Sequence, residues 1–180
     1  MMMIRDGLAA VAVLAGLAVA CPASAQPAAP EIYLIKSVGI PGKCLRDEGK
    51  DPQVNMRLRT CDSSDKLQQF ERRPAGGDYY YYINVGSGQC LDHNGKTALY
   101  GKKCNWGEYQ KWTDRDKSGS VFHLAGKTGK CIEGGGDQDS WGFVRTCKTG
   151  ETKQRWQREP VKTGASESEG SWNPVLERIE

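Results

Sequence analysis

Apolar side chains come along this chain in short runs. Ile32 to Ile35 opens one, Cys44-Leu45 makes a second, Asn55 to Thr60 alternates polar and apolar residues, and Gln69 to Arg72 carries Phe70. Gly, Pro, Asp and Ser separate these runs, so the pattern predicts short strands joined by turns. Tyr79 to Val85 and Val121 to Leu124 begin the same series again. No stretch keeps helical apolar spacing for three turns, which argues against a helical body.

Other landmarks keep step with the strands. Gly42-Lys43-Cys44, Gly88-Gln89-Cys90 and Gly129-Lys130-Cys131 are each followed by a second cysteine, Cys61, Cys104 or Cys147. Each second cysteine is followed by a Gln-x-aromatic phrase: Gln68-Gln69-Phe70, Gln110-Lys111-Trp112 and Gln154-Arg155-Trp156. Four landmarks in one order, three times over, define repeats at 31–76, 77–119 and 120–160, and such units bury their apolar faces only against one another. Three units of about four short strands each predict a closed all-β body without exposed edges. Phe70, Trp112 and Trp156 are expected to converge near its axis as core, with their glutamines bonding backbone that the turns leave unpaired.

The longest apolar stretch, Leu8 to Ala20, stands outside this scheme. With Arg5 before it and Ala23-Ser24-Ala25 after it, residues 1–25 read as an export signal cleaved before Gln26, leaving a short leader at 26–30. The run is too short for a transmembrane helix, which needs about 20 residues. A lipoprotein anchored through Cys21 is the alternative, but Ala18-Val19-Ala20 lacks the leucine of a good lipidation box. Under either reading Cys21 lies outside the fold and six cysteines remain. An even set in a secreted or periplasmic chain implies disulfides, and the repeat favours local pairs: Cys44 with Cys61, Cys90 with Cys104, Cys131 with Cys147. No Cys-x-x-Cys occurs and only His93 and His123 offer imidazole, so neither a zinc site nor any other cofactor is expected.

A net charge of +3, spread over both signs, lacks the concentrated basic face that nucleic acid requires. No Gly-x-Ser-x-Gly, His-Glu-x-x-His or phosphate loop is present, and Asp47-Glu48 would point to opposite faces of a strand, so the chain does not read as an enzyme.

Three repeats of about 42 residues, each with a Cys-aliphatic pair near the front and Gln-x-Trp near the end, resemble the ricin-type (R-type) lectin β-trefoil. The resemblance spans about 31–160 and implies a β-trefoil that binds glycans at one shallow site per repeat, without catalysis. In the family a carboxylate stands two residues after the first cysteine. Here that position holds Arg46, Asp92 and Glu133, so repeat two matches, repeat three carries a longer acid, and Asp47 is the only stand-in for repeat one. The aromatic platform of galactose-binding members, two residues before the second cysteine, is replaced by Arg59, Lys102 and Arg145, and the family's Asn before the glutamine by Leu67, Tyr109 and Lys153. Substitutes for the platform are Tyr100 or Trp106 in repeat two, and Trp141 or Phe143 in repeat three. Trp141, between Ser140 and Gly142, is expected to stand exposed.

The candidate carbohydrate-binding residues are therefore Asp92, Asn94, Tyr100 and Gln110, with Glu133, Trp141 and Gln154. Structural roles compete: Asp92 could cap the His93-Asn94-Gly95 turn, and Gln110 and Gln154 share their place with Gln68 of the repeat that lacks the acid.

The lectin-like subunits of cytolethal distending toxins share this architecture, so a protein-escort role is the rival to sugar binding. The tail at 161–180 holds Trp172, Val175, Leu176 and Ile179 after a Gly/Ser/Glu-rich spacer, a segment suited to a protein partner or to folding back.

Overall fold

A computed structural model describes residues 30–49, 56–135 and 140–162. The stretch expected to be an export signal, with Cys21, and the tail beyond residue 162 lie outside them. Repeat one supplies β1 (Glu31–Ser37), β2 (Lys43–Asp47), β3 (Met56–Thr60) and β4 (Gln69–Pro74). Repeat two supplies β5 (Tyr80–Asn84), β6 (Cys90–His93), β7 (Leu99–Lys102) and β8 (Trp112–Ser118). Repeat three supplies β9 (Val121–Gly126), β10 (Lys130–Gly134), β11 (Gly142–Thr146) and β12 (Arg155–Pro160). Single turns of 3-10 helix, Glu108–Gln110 and Thr152–Gln154, precede β8 and β12.

The first and last strands of the repeats form a ring. β1 pairs with β4, β4 with β5, β5 with β8, β8 with β9, β9 with β12, and β12 returns to β1, all antiparallel. Closure leaves this barrel no free edge. The middle strands form three hairpins, β2–β3, β6–β7 and β10–β11, that cap one end. The fold is a β-trefoil, the closed all-β body that the repeats predict and the form that the family resemblance implies.

Strand alternation sends one side chain in two to the centre. Ile35, Phe70, Tyr82, Trp112, Leu124 and Trp156 fill the barrel, and Leu45, Met56, Leu58, Leu91, Leu99, Ile132 and Val144 fill the cap. Phe70, Trp112 and Trp156 are wholly buried. The tryptophans also tie barrel to cap: Trp112 Nε1 donates to the Leu91 carbonyl and Trp156 Nε1 to that of Ile132, both at 2.9 Å.

Two residues beyond each of these aromatics lie Arg72, Asp114 and Arg158, at the uncapped end. Asp114 binds Arg158 through two parallel hydrogen bonds of 2.6 Å, and Arg158 Nη1 donates to the Tyr82 hydroxyl at 2.8 Å. The Arg72 guanidinium lies over Tyr80, 3.2 Å from the ring centre.

The three disulfides pair Cys44 with Cys61, Cys90 with Cys104, and Cys131 with Cys147. Each joins the start of a hairpin to the loop after it, within one repeat.

Candidate functional site

Equivalent registers set up three comparable surfaces. The residue two places after the first half-cystine pairs across its hairpin with Arg57, Tyr100 or Phe143: Arg46 with Arg57, Asp92 with Tyr100, Glu133 with Phe143. Their strand neighbours Leu45, Leu91 and Ile132 point into the core, so these pairs occupy the outer face. The glutamine of each Gln-x-aromatic phrase closes in from below. Gln110 Nε2 donates to Asp92 Oδ2 at 2.8 Å and Gln154 Nε2 to Glu133 Oε2 at 2.9 Å.

The same amides hold the loop that follows the second half-cystine. Gln110 Oε1 accepts the Asn105 and Trp106 N–H groups and its Nε2 also reaches the Lys103 carbonyl. Gln154 binds the Lys148 N–H and the Thr146 carbonyl, and Gln68 binds the Asp62 N–H and the Thr60 carbonyl. All three are buried. They complete the backbone and, in repeats two and three, fix the acid.

In repeat two Asp92 is 3% exposed. It accepts from Gln110 and lies opposite Tyr100 in the hairpin register, and burial holds its carboxyl above the usual range in spite of its hydrogen-bonding neighbours. Burial, the Asp92 charge and the shared hydrogen bond push the Tyr100 phenol up to about 12. The adjacent turn is capped by its neighbours instead. Asn94 Oδ1 accepts the N–H groups of Lys96, Thr97 and Ala98, and the Gly95 N–H donates to His93 Nδ1 at 2.9 Å. Asn94 thus caps the turn through its oxygen, and Asp92 is not among the groups that cap it.

The 104–110 loop, which Gln110 ties to this acid, carries two half-exposed aromatic rings. Tyr109, half-exposed at 50%, meets His93 edge to face with ring centres 5.2 Å apart. It lies so close over Gly95 that a β-carbon there would sit 3.0 Å from Tyr109 Cε1. Tyr109 was not among the residues singled out from sequence, although its place directly before Gln110 is the signal that finds it. Trp106, 49% exposed, stands on left-handed backbone with φ of 60°. A bulky side chain adopts that conformation at a cost of about 1–2 kcal/mol, and here two hydrogen bonds hold it: its N–H to Gln110 and its carbonyl from the Tyr81 hydroxyl at 2.8 Å.

Repeat three brings Glu133, Gln154 and Phe143 together. Glu133 is half-buried, and the Arg145 guanidinium lies 5.0 Å from the centre of the Phe143 ring. Trp141 is placed otherwise than expected. It is half-buried, bridged to Arg57 through backbone pairing, and covered by the Arg57 guanidinium at 3.7 Å from the ring centre. The cation–π contact places it at the seam with repeat one.

Repeat one has no acid at the family position. Arg46 Nε instead binds Asp65 at 2.7 Å, and Glu48 bridges Arg46 and Arg59 at 3.0 and 2.9 Å. Arg46, Arg59 and Asp65 border a shallow, open depression that also includes Asp62 and Gln68. Asp47 does not stand in for the missing acid. It is wholly buried and turned toward repeat two, accepting from Ser87 Oγ at 2.6 Å.

The profile of the ricin-type beta-trefoil lectin domain matches residues 31–156. The chain belongs to the ricin-type β-trefoil lectin family. Its members are carbohydrate-binding modules. Solved ricin-type and related trefoils superpose on it at low identity, which supports the fold. The designed threefold-symmetric protein ThreeFoil shares 20% identity over 73% of this chain and 99% of its own, with a TM-score of 0.61. The Polyporus squamosus lectin bound to a human-type influenza-binding epitope shares 20% identity over 73% of this chain and 49% of its own, with a TM-score of 0.60. A cytolethal distending toxin chain from Actinobacillus actinomycetemcomitans shares 14% identity over 76% of this chain and 97% of its own, with a TM-score of 0.61. No curated protein matches the sequence. Among the described residues, no helix is long and apolar enough to cross a membrane and no cluster of His, Cys, Asp or Glu is arranged to hold a metal ion.

Proposed function

We propose that this trefoil is an exported glycan-binding module whose principal site is repeat two. The observation that carries the reading is the half-exposed Tyr109 beside the buried Asp92–Gln110 pair, with Tyr100 opposite the acid across the β6–β7 hairpin. Sugar recognition needs an aromatic ring for the apolar face of a pyranose and oriented polar groups for its hydroxyls. Tyr109 supplies the ring, replacing the platform that Lys102 lacks. Tyr100 and Asp92 supply the polar groups, and Gln110 fixes the acid from beneath. Glu133 with Phe143 forms a second, weaker surface in repeat three. Repeat one, where Arg46 is tied to Asp65 and Glu48, contributes none. Single shallow sites of this kind gain strength by multivalent display.

The export signal and the three disulfides support a secreted or periplasmic location. The test is a broad glycan array with oxidised Gln26–Glu180 displayed multivalently. Selective binding that is lost in Tyr109→Ala, at unchanged thermal stability, is the expected result. Absence of binding by the folded wild type overturns it, and the rival, an escort subunit with its partner docked through the 161–180 tail, is then tested by deleting that tail.

A further inference from the structure

We infer that Trp106 forms a second stacking subsite beside the repeat-two site, so that the preferred ligand is a chain of at least two pyranoses. This inference rests on the glycan reading of repeat two. It starts from one side chain, Gln110, whose two amide atoms face different ways. Its Nε2 binds Asp92 at 2.8 Å and its Oε1 binds the Trp106 N–H at 3.1 Å. The acid of the site and the backbone of Trp106 are therefore held one amide apart.

The indole is held firmly and left open. Gln110 accepts the N–H groups of Asn105 and Trp106, Asn105 Oδ1 accepts that of Gly107 at 2.9 Å, and the Tyr81 hydroxyl donates to the Trp106 carbonyl. Tyr81 also meets the indole in a T-shaped contact, ring centres 5.0 Å apart at 73°. Such a contact occupies at most one face of a ring, and half of the Trp106 surface stays in solvent. Trp112 and Trp156, by contrast, are wholly buried. An exposed tryptophan on left-handed backbone, fixed at N–H, carbonyl and ring, is an outlier of the kind found at binding sites. Its rigidity lowers the entropy lost when a flat, partly apolar ligand settles on it. The apolar face of a pyranose is that ligand, and Tyr109 at the other end of the same loop provides for its neighbour in the chain.

The experiment compares wild type, Trp106→Ala and Trp106→Tyr, all with disulfides intact. Binding is measured by titration calorimetry to the monosaccharide hit of the array and to its di- to tetrasaccharides. Wild type should bind the oligomers about 2- to 10-fold more tightly than the monosaccharide, the range an aromatic contact provides. Trp106→Ala should lose that gain while keeping monosaccharide affinity, and Trp106→Tyr should restore most of it. An independent reading is acrylamide quenching of tryptophan fluorescence, where the oligomer but not the monosaccharide should protect the wild type, and that protection should be absent in Trp106→Tyr. Equal affinity of wild type and Trp106→Ala for every length, with binding intact, overturns the subsite alone. Failure of wild type to bind any sugar overturns the glycan reading and the subsite with it.

Discussion

The buried ion pair at the uncapped end of the barrel gives the most direct test of how this fold is held. The side chains of Asp114 and Arg158 are 4% and 17% exposed, and two hydrogen bonds of 2.6 Å join them. Burial alone would raise the Asp114 carboxyl. The hydrogen bonds and charge of Arg158 outweigh it and hold the group below the usual range. Asp114→Asn keeps the shape but leaves the Arg158 guanidinium with the Tyr82 hydroxyl and a neutral amide. Removing one partner of a buried pair costs about 3–5 kcal/mol. The amide still accepts a bond and Arg158 retains some water, so the lower end, about 3 kcal/mol, is expected. Replacing both groups, Asp114→Leu with Arg158→Met, should return to within about 1 kcal/mol of wild type, because the charges and their desolvation disappear together. Urea denaturation of the oxidised proteins, followed by tryptophan fluorescence, measures all three. A loss under about 1 kcal/mol for Asp114→Asn, the behaviour of an exposed pair, would refute the reasoning, as would a double variant no more stable than the single.

Trp156→Phe places in repeat three the ring that repeat one carries at Phe70 and removes the hydrogen bond to Ile132; it should cost about 1–2 kcal/mol, against about 3–5 for Trp156→Ala, by thermal unfolding. His93 is 1% exposed, and burial with the nearby Lys130 charge pushes it down to about 4 from an ordinary 6.5. The unfolded chain therefore takes a proton below about 6.5 that the folded one refuses until about 4, so stability should fall by about 3 kcal/mol as pH drops across that window, and a His93→Asn variant should show a flatter profile in the same denaturation series. Replacing both Cys131 and Cys147 by Ser should lower stability by about 3 kcal/mol, seen as a reduced urea midpoint.

The architecture was largely legible because it is written at a fixed period. The half-cystines and the Gln-x-aromatic phrases place the hairpins, the loops and the barrel core, and the residue two after each first cysteine marks the outer face. Features that depend on pairing between repeats were not legible. Trp141 reads as exposed among glycines, but Arg57, which covers it, comes from another repeat. Tyr109 and Trp106 owe their prominence to the backbone of one loop, and neither half exposure nor a left-handed φ has a period in sequence. Asp92 stands out in sequence as an acid at a fixed place in the repeat, yet its burial opposite Tyr100 follows from the β6–β7 register and could not be read from its neighbours.

One inward position shows how the seams between repeats shape the sites. It lies three residues after the first half-cystine and holds Asp47, His93 and Gly134. Asp47 accepts a hydrogen bond from Ser87 of repeat two, and His93 Nε2 donates to Thr128 Oγ1 of repeat three at 3.1 Å, its tautomer set by the Gly95 N–H on Nδ1. Ser87 and Thr128 are themselves equivalent, three residues before a first half-cystine, so equivalent hydroxyls bond across the seams from repeat one to two and from two to three, as donor in the first and acceptor in the second. The third seam is apolar: a β-carbon on Gly134 would lie 3.0 Å from Leu58 and 3.4 Å from Ile40 of repeat one. These choices propagate. Asp47 occupies the space where repeat two would carry a counterpart to Leu58 and Val144, so that position is Gly101, whose β-carbon would fall 2.6 Å from Asp47 Oδ2. His93 in turn supports Tyr109 edge-on and anchors the turn beside Asp92. The Tyr109 ring of the proposed repeat-two site thus rests on a seam residue, a support that Gly134, with no side chain, does not offer in repeat three.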